Sequence, residues 1–334
     1  MVILDDYQDA ARGLDCFELA RDWPVTVYRD TVKDPAALVA RLADADAVVL
    51  IRERTVLQDE VLRRLPRLRL ISQTGGSAAS IDVEACTRHG IAIACALGGS
   101  PQYSWPASQA SAEFAWALIL ASMRRVVTQA RAMKQGLWQT EVGTTVRGRV
   151  LGLLGYGKIG AQVAQVGRAF GMHPLVWGRE GSRTRATADG FDVARDQRDL
   201  FARADVLTLQ LALNAQTRGI VTAEDLQAMK PSALLVNTGR AALIRPGALE
   251  QALAAGRPGF AAVDVYEEEP LLDTRHPLLH MDNVLCTPHI GFVEKDSYET
   301  SFRNAFAQVR AFFDGQPTNI INPRALENRA APPG

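Results

Sequence analysis

Short apolar runs alternate with amphipathic stretches along the chain, a pattern typical of strands that alternate with helices. Up to about residue 100 the apolar runs predict strands at Val2–Leu4, Val25–Tyr28, Ala47–Ile51, Leu68–Ser72 and Ile91–Ala94. Helices are predicted between them at Pro35–Leu42, where Asp34 is the expected cap, and at Asp59–Leu65. Because strands that alternate with helices form parallel sheets, the pattern predicts an α/β fold.

The second part of the chain repeats this alternation after a change of composition. Gly98–Pro106 is rich in Gly, Ser, Pro and aromatic residues, which predicts a hinge, and Ala110–Met123 predicts a long apolar helix. Further strands are predicted at Val150–Leu154, Pro174–Trp177, Val206–Gln210, Ala233–Val236, Ala261–Val265 and Val284–Thr287. A long helix at Phe292–Phe313 is expected to return to the first domain, and a tail follows it.

A glycine-rich turn joins the strand at Val150–Leu154 to a predicted helix at Ala161–Phe170. The helix pattern places Val163, Val166, Ala169 and Phe170 on one apolar face. The glycines form the pattern G-x-G-x-x-G, which allows a tight turn, close approach of backbone amides to a pyrophosphate, and close packing of the helix: Gly155, Gly157 and Gly160. Strand, turn and helix together predict a dinucleotide site rather than a structural glycine turn.

Composition narrows the function classes. A chain of 334 residues with 47% apolar residues predicts two domains, each with its own core. The formal net charge of +0 argues against binding to nucleic acid or to an anionic membrane, so the expected partner is a small molecule or a second copy of the chain. The four cysteines form no C-x-x-C pair, so we expect reduced thiols and no metal site. The acidic N-terminus and the lack of a long apolar run predict a cytoplasmic protein.

The end of the second nucleotide-domain strand bears on the choice of cofactor. An NAD site usually carries an acid at this point, and Gly178 stands there instead. Arg179 and Arg183 provide guanidinium groups for a 2′-phosphate, with Ser182 as a further donor. This arrangement favours NADP(H). The alternative, which leaves NAD(H) possible, is that the arginines are solvated and that Glu180 binds the ribose.

Four segments in this order resemble the D-isomer-specific 2-hydroxyacid dehydrogenases, which include glyoxylate/hydroxypyruvate reductases and phosphoglycerate dehydrogenase. The segments are Val150–Gly160, Val236–Arg240, Ala262–Pro270 and Thr287–Gly291. The resemblance implies two Rossmann-like domains with parallel sheets. A nucleotide-binding domain, residues 106–291, would be inserted into a flavodoxin-like substrate domain, residues 1–105 and 292–334. It also implies a homodimer, which the apolar helix Ala110–Met123 and the hinge segment Gly98–Pro106 favour.

The same resemblance assigns the catalytic residues. Arg240 would hold the carboxylate and polarise the ketone, His289 would exchange the proton, and Glu269 would keep the imidazolium charged. A histidine side chain has an unperturbed pKa of about 6.5, which suits proton exchange near neutral pH. By pattern alone, a histidine after a proline is more often structural, so the catalytic role follows from the resemblance.

Other positions match cofactor and substrate positions of the family. Beyond the residues already named, the cofactor set is Lys158, Ile159, Leu211, Thr217, Thr238, Gly239 and Asp264. The substrate set adds Arg52, Gly76 and Ser77 to Arg240, although Arg52 could equally be a surface ion-pair residue. By pattern alone, the loop Thr74–Ala78 is either an anion-binding nest or a plain turn. The segment Gly98–Pro106 departs from the family, so the roles of Tyr103 and Trp105 stay open.

The sequence therefore predicts an NAD(P)-dependent reductase of a small 2-oxo acid that resembles glyoxylate or hydroxypyruvate. One alternative is a phosphoglycerate dehydrogenase, which is disfavoured by the lack of a further domain after residue 334. A second is a dinucleotide-sensing corepressor without enzymatic activity, which the catalytic motifs alone do not exclude. Glu269 argues against a relative of formate dehydrogenase, because that branch usually lacks the carboxylate partner of the histidine.

Overall fold

The computed structural model describes residues 1–95 and 101–328, with the side chains of the second range described from residue 108. The chain divides into two compact units. Unit 1 comprises Met1–Pro106 and Glu294–Gly334, and unit 2 comprises Ala107–Val293. Of the predicted hinge, residues 98–100 and the side chains of Tyr103 and Trp105 lie outside the described residues, while residues 101–106 are helical.

Both units contain a parallel sheet, which confirms the predicted fold class. The strands of unit 1 are β1 (Val2–Ile3), β2 (Thr26–Val27), β3 (Ala47–Leu50), β4 (Leu70–Gln73) and β5 (Ala92–Cys95). The strands of unit 2 are β6 (Val150–Leu154), β7 (His173–Trp177), β8 (Asp192–Val193), β9 (Val206–Leu209), β10 (Leu234–Asn237), β11 (Phe260–Val263) and β12 (Val284–Cys286). Strand β8 was not predicted, because its two residues, Asp192 and Val193, do not belong to an apolar run.

Helices connect most of these strands and follow the last one. They are α1 (Pro35–Leu42), α2 (Asp59–Leu62), α3 (Val83–Arg88), α4 (Pro101–Met123), α5 (Val126–Lys134), α6 (Lys158–Ala169), α7 (Glu180–Ala188), α8 (Gln197–Arg203), α9 (Ala223–Ala228), α10 (Ala248–Ala254), α11 (Lys295–Phe313) and α12 (Arg324–Asn328). Short 3-10 helices lie at Ala11–Gly13, Asp15–Ala20, Ala241–Leu243 and Pro277–His280. Among the described residues, no helix is long and apolar enough to cross a membrane.

The order of the strands differs between the two sheets. In unit 1 the order is β2-β1-β3-β4-β5, the order of flavodoxin-like folds. In unit 2 the order is β12-β11-β10-β9-β6-β7-β8, so the direction of winding reverses between β6 and β9. Ligands of open parallel sheets bind at the carboxyl ends of the strands beside such a reversal. The glycine turn follows β6 and therefore lies at that point.

Helix α1 agrees with its prediction because its signals are local. It spans Pro35–Leu42, with proline in the first turn, and the Asp34 carboxylate accepts a hydrogen bond from the Ala37 amide at 2.8 Å. Helices α2 and α11 differ from their predictions at one end: α2 ends at Leu62, and α11 begins at Lys295, where the Glu294 side chain caps it.

The predicted apolar face of α6 is wrong at three of its four positions. Val163 is buried, but Val166, Ala169 and Phe170 are exposed. The buried face consists instead of Gly160, Val163, Ala164 and Gly167. A Cβ atom added to Gly167 would lie 2.5 Å from the Leu151 side chain, so α6 packs too closely on β6 for large side chains to fit between them.

Helix α4 contributes to the core of unit 2 rather than presenting an apolar surface. Its buried residues include Ala115, Trp116 and Ile119, which pack with Leu151 and Leu153 on one face of the sheet. A second cluster, centred on Phe201 and Leu207, covers the opposite face. The apolar residues of Ala110–Met123 are therefore explained by packing within unit 2, and they do not indicate a dimer surface.

Candidate active site

The glycine turn after β6 has the geometry that a pyrophosphate site requires. Gly155 has a φ of +104°, and a Cβ atom added there would lie 2.5 Å from the carbonyl oxygen of Gln210. A Cβ atom on Gly160 would lie 2.6 Å from the carbonyl oxygen of Gly155. In contrast, a Cβ atom on Gly157 would meet no heavy atom within 4 Å. Gly155 and Gly160 are thus required for close packing, whereas Gly157 leaves open space.

That open space lies at the N-terminus of α6. Gly157 is the N-cap of this helix, and among the described residues no side chain caps it. Lys158 and Ile159 therefore begin a helix whose first amides are available to an anion. The turn fits the pyrophosphate of a dinucleotide on the strength of this geometry.

The four residues predicted to bind the ribose and its phosphate lie together at the end of β7 and the start of α7. A Cβ atom on Gly178 would lie 3.4 Å from Ser182 Cβ and 3.6 Å from Gly155 Cα, which are ordinary contact distances, so packing alone does not require a glycine here. Arg179 is exposed, and its carbonyl accepts hydrogen bonds from the Ser182 and Arg183 amides. The Arg183 guanidinium lies 4.7 Å from the centre of the Trp177 ring. Its buried Nε has no hydrogen-bond partner among the described residues.

The other predicted cofactor residues follow neighbouring strands. Leu211 comes after β9, Thr238 and Gly239 come after β10, and Asp264 comes after β11. Because all these strands are parallel, the residues share one edge of the sheet with the glycine turn. Thr217 lies further along the loop after β9, where its hydroxyl donates to the Ala212 carbonyl at 2.7 Å and fixes that loop.

His289 and Glu269 form a hydrogen-bonded pair in unit 2. His289 Nδ1 lies 2.5 Å from Glu269 Oε2, and both side chains are partly exposed. Burial alone would raise the pKa of Glu269, but the hydrogen bond and the positive charge of His289, the Tyr266 amide and Arg240 outweigh burial and lower that pKa. The carboxylate form of Glu269 therefore stabilises the fold at pH values above its ordinary pKa. This contribution is lost only as the pH falls through the lowered pKa.

Arg240 acts on the same carboxylate. It follows β10, and its Nη1 donates to the Gly239 carbonyl at 2.8 Å. Its charge contributes to the lowered pKa of Glu269. The structure thus brings together the three residues predicted to be catalytic, although they lie in three separate segments of the chain.

Asp264 holds the loop that carries His289. Its Oδ1 accepts hydrogen bonds from Thr287 Oγ1 at 2.7 Å and from the Ile290 amide at 2.9 Å, and its Oδ2 accepts one from the Gly291 amide at 2.9 Å. Burial raises the pKa of Asp264, against the effect of these bonds. His289 has a left-handed backbone with a φ of 51°, a conformation that costs about 1–3 kcal/mol outside glycine. The hydrogen bonds to Asp264 flank this residue and support its conformation.

Tyr266 is a residue of this site that the sequence did not single out. Its amide donates to Glu269 Oε1 at 2.9 Å, and its buried hydroxyl donates to the Thr287 carbonyl at 3.0 Å. It therefore links the loop of Glu269 with the loop of His289. Tyr266 stands in a quoted motif, but a tyrosine in that motif does not indicate which distant carbonyl its hydroxyl will meet.

The predicted substrate residues other than Arg240 lie in unit 1. Arg52 follows β3 and has a left-handed backbone with a φ of 56°. A Cβ atom on Gly75 would lie 3.4 Å from the Arg52 side chain, so this arginine packs over the start of the loop after β4. Gly76 and Ser77 continue that loop and are exposed. The structure thus brings Arg52 next to the loop of Gly76 and Ser77, and their role in binding stays a prediction.

The arrangement in unit 2 can support a defined chemistry. A histidine bound to a carboxylate can donate or accept a proton near neutral pH, and an adjacent guanidinium can stabilise an oxyanion or bind a carboxylate. Arg240 follows β10 and His289 follows β12, so both lie at the same edge of the sheet as the glycine turn. Reversible proton transfer beside a bound dinucleotide is the reaction type that these groups fit.

Comparison with known proteins identifies the family that the sequence motifs resemble. Residues 116–291 match the family model described as D-isomer specific 2-hydroxyacid dehydrogenase, NAD binding domain. The chain is 35% identical over 303 residues to a glyoxylate reductase of Aeropyrum pernix, a match that covers 87% of each chain. It is also 33% identical over 288 residues to a D-3-phosphoglycerate dehydrogenase of Methanocaldococcus jannaschii, which covers 85% of this chain but 53% of that enzyme.

A solved structure resembles the chain over almost its full length. A structure described as a D-3-phosphoglycerate dehydrogenase oxidoreductase from Ralstonia solanacearum superposes with a TM-score of 0.93 at 46% sequence identity. The match covers 99% of this chain and 98% of that one. The resemblance in sequence and in structure therefore extends over both units.

Proposed function

The chain belongs to the D-isomer-specific 2-hydroxyacid dehydrogenases, and on that premise we propose that it reduces a small 2-oxo acid to the D-2-hydroxy acid and catalyses the reverse oxidation. The observation that carries this proposal is the pair of His289 and Glu269, 2.5 Å apart, in a unit that also holds Arg240 and the glycine turn. A bound nicotinamide dinucleotide supplies or accepts the hydride.

The protein side chains perform the rest of the reaction. Arg240 binds and orients the acid and stabilises negative charge on the carbonyl oxygen. His289 donates its proton to that oxygen in reduction and accepts it in oxidation. Glu269, held by the Tyr266 amide, is hydrogen-bonded to His289 Nδ1 and keeps the imidazole oriented. Atoms balance, because one hydride and one proton convert the ketone to the alcohol.

We favour a substrate resembling glyoxylate or hydroxypyruvate. The chain matches a glyoxylate reductase over 87% of that enzyme's length, whereas it spans about half of the curated phosphoglycerate dehydrogenases. Phosphohydroxypyruvate is the second candidate, since the curated phosphoglycerate dehydrogenases are relatives at up to 33% identity and the solved structure from Ralstonia solanacearum, at 46% identity, is described as one. Arg52, Gly76 and Ser77 remain our candidates for binding the acid in unit 1.

A panel of 2-oxo acids tests the function. Purified protein is mixed with NADPH or NADH and with glyoxylate, hydroxypyruvate, phosphohydroxypyruvate or pyruvate, and loss of the nicotinamide absorbance is followed. We expect oxidation of the cofactor with at least one acid. Where the product is chiral, as with hydroxypyruvate, phosphohydroxypyruvate or pyruvate, chiral analysis should identify the D-hydroxy acid. If no acid supports oxidation of either cofactor, the proposal is wrong.

Three features around β7 and α7 support a preference for NADP(H). Gly178 leaves out the acid that would repel a 2′-phosphate, Arg179 is exposed beside it, and Arg183 has a buried Nε without a partner among the described residues. Guanidinium groups bind phosphate through charge-assisted hydrogen bonds. We therefore propose that Arg179, Ser182 and Arg183 hold the 2′-phosphate, with NAD(H) as the weaker cofactor.

Replacing Arg179 with alanine should raise the KM for NADPH about tenfold, which corresponds to roughly 1.4 kcal/mol, and should leave the KM for NADH unchanged. The reason is that only NADPH presents a phosphate to the guanidinium. Steady-state kinetics with both cofactors measure this effect. Arg198→Ala, which removes an exposed arginine from α8 of the same unit, is the matched control. Equal changes for both cofactors would refute the phosphate assignment.

We also propose a homodimer, on a surface other than the one predicted. Five large apolar side chains are exposed in and after α5, from 51% for Leu137 to 95% for Val142; the others are Val126, Met133 and Trp138. Exposed large apolar residues concentrated in one segment of the chain favour an association surface there, and homodimers are the commonest assemblies.

Trp138→Glu should convert this dimer to a monomer, because Trp138 is 74% exposed and a charge cannot be buried in an apolar interface without a partner. Light scattering coupled to size exclusion gives the mass in solution. Val56→Glu, at a 57% exposed valine of unit 1, is the control and should keep the mass of two chains. A wild-type protein with the mass of one chain would exclude the dimer.

A further inference from the structure

Tyr156 lies between the first two glycines of the turn but is not required by the glycine pattern. Its side chain is 2% exposed, and its ring packs edge-on against Phe191 at a centroid distance of 5.9 Å. Burial and the hydrogen bond to Asp189 both raise the pKa of its hydroxyl, so the phenol stays protonated as a donor. The glycine turn therefore contains a large buried side chain whose hydroxyl has a defined hydrogen-bond partner.

Tyr156 attaches the glycine turn to α7 at two points. Its hydroxyl donates to Asp189 Oδ2 at 2.6 Å, and Asp189 is the C-cap of α7. Its carbonyl accepts a hydrogen bond from Arg185 Nη2, within α7, at 2.9 Å. These two hydrogen bonds attach the C-terminal half of α7 to the turn. At the other end of the helix, Gly178, just before α7, packs against Gly155.

The first turn of α7 carries the residues that we assign to the 2′-phosphate. Arg179 is the N-cap of α7, and Ser182 and Arg183 follow within the next turn. The glycine turn and this helix therefore present two anion-binding surfaces whose separation depends on how α7 is attached. Charge-assisted hydrogen bonds weaken steeply with distance and misalignment.

We propose that Tyr156 and Asp189 are positioning residues for recognition of the 2′-phosphate. Their hydrogen bond fixes the C-terminal end of α7 to the glycine turn and thereby the direction of the helix, whose first turn carries the residues assigned to the 2′-phosphate. This inference rests on the proposed preference for NADP(H). Loss of the bond should impair ligands that carry a 2′-phosphate, while contacts to the 5′-phosphates, made by backbone amides of the turn itself, should persist.

Calorimetry tests the proposal independently of turnover, because it measures the binding of two nucleotides that lack the nicotinamide group. For Tyr156→Phe, the Kd of adenosine 2′,5′-bisphosphate should rise about fivefold, which corresponds to about 1 kcal/mol, and the Kd of 5′-ADP should not change. Asp189→Ala should reproduce this change. Asp189→Asn keeps an acceptor oxygen and should retain the wild-type ratio of the two Kd values.

The melting temperature separates positioning from a structural role. If Tyr156→Phe lowers the melting temperature but leaves the ratio of the two Kd values at the wild-type level, the proposal is overturned. If the variant weakens both nucleotides equally, it is also overturned. Failure of the NADP(H) assignment is distinguishable, because the wild-type protein would then bind adenosine 2′,5′-bisphosphate no more tightly than 5′-ADP. The Tyr156→Phe/Asp189→Ala double variant should be no weaker than either single variant, as expected for one shared hydrogen bond.

Discussion

Replacing His289 with glutamine is expected to lower kcat for 2-oxo acid reduction on the order of a hundredfold or more, because an amide can hydrogen-bond to Glu269 but cannot transfer a proton near neutral pH. The loss should appear in kcat with the KM for the cofactor unchanged, since His289 lies outside the glycine turn and α7. Stopped-flow absorbance with a single turnover measures the chemical step directly.

The same unit offers a matched control for this substitution. His276 Nε2 lies 3.8 Å from a carboxylate oxygen of Glu267, so it is a second histidine beside a glutamate, but it has no proposed part in the reaction. His276→Gln should keep a kcat near that of the wild-type protein. If His289→Gln turns over as fast as His276→Gln, His289 is not the proton donor.

Replacing Arg240 with glutamine should lower kcat/KM for the 2-oxo acid by about a hundredfold to a thousandfold, the range seen when an oxyanion donor is lost. The guanidinium is expected to bind the substrate and to stabilise charge on the carbonyl oxygen as hydride is transferred, so both kcat and KM should change. Arg240→Lys keeps the charge but not the paired donors, and it should recover only part of the activity.

Arg245→Gln is the control for this loss of charge, because Arg245 is an exposed arginine five positions further along the same segment. It should leave kcat/KM close to the wild-type value. Cofactor affinity, measured by quenching of protein fluorescence, should stay the same in both variants. Equal kcat/KM values for Arg240→Gln and Arg245→Gln would remove Arg240 from the proposed mechanism.

Several elements could be predicted from the sequence because their signals are local. Helix α1 has its cap and its proline within four residues, and β6, with the glycine turn after it, is recognisable as one continuous segment. The proposed catalytic residues lie in short motifs, so each could be named before its neighbours were known. The loops after the strands of a parallel sheet meet at one edge, and for this reason the motifs could be expected to converge.

Other features depend on contacts between residues that are distant in sequence. The Tyr156 hydroxyl meets Asp189, 33 positions away, and the Tyr266 hydroxyl meets Thr287, 21 positions away. Neither partner has a sequence signal, because a hydroxyl pairs with whichever acceptor the packing brings within reach. The exposed apolar residues after α5 were likewise not predicted, since exposure is a property of the folded surface.

The sequence by itself determined the class of fold, the order along the chain of the strands other than β8, and the residue types available for hydride and proton chemistry. Periodicity and short motifs encode these properties. Only the tertiary structure decided that α6 packs through Gly167 rather than through Val166 and Phe170, and that Asp264 and Tyr266 hold the loops of His289 and Glu269. The physical reason is that packing distance and hydrogen-bond partners depend on how strands and helices approach one another, which no local pattern specifies.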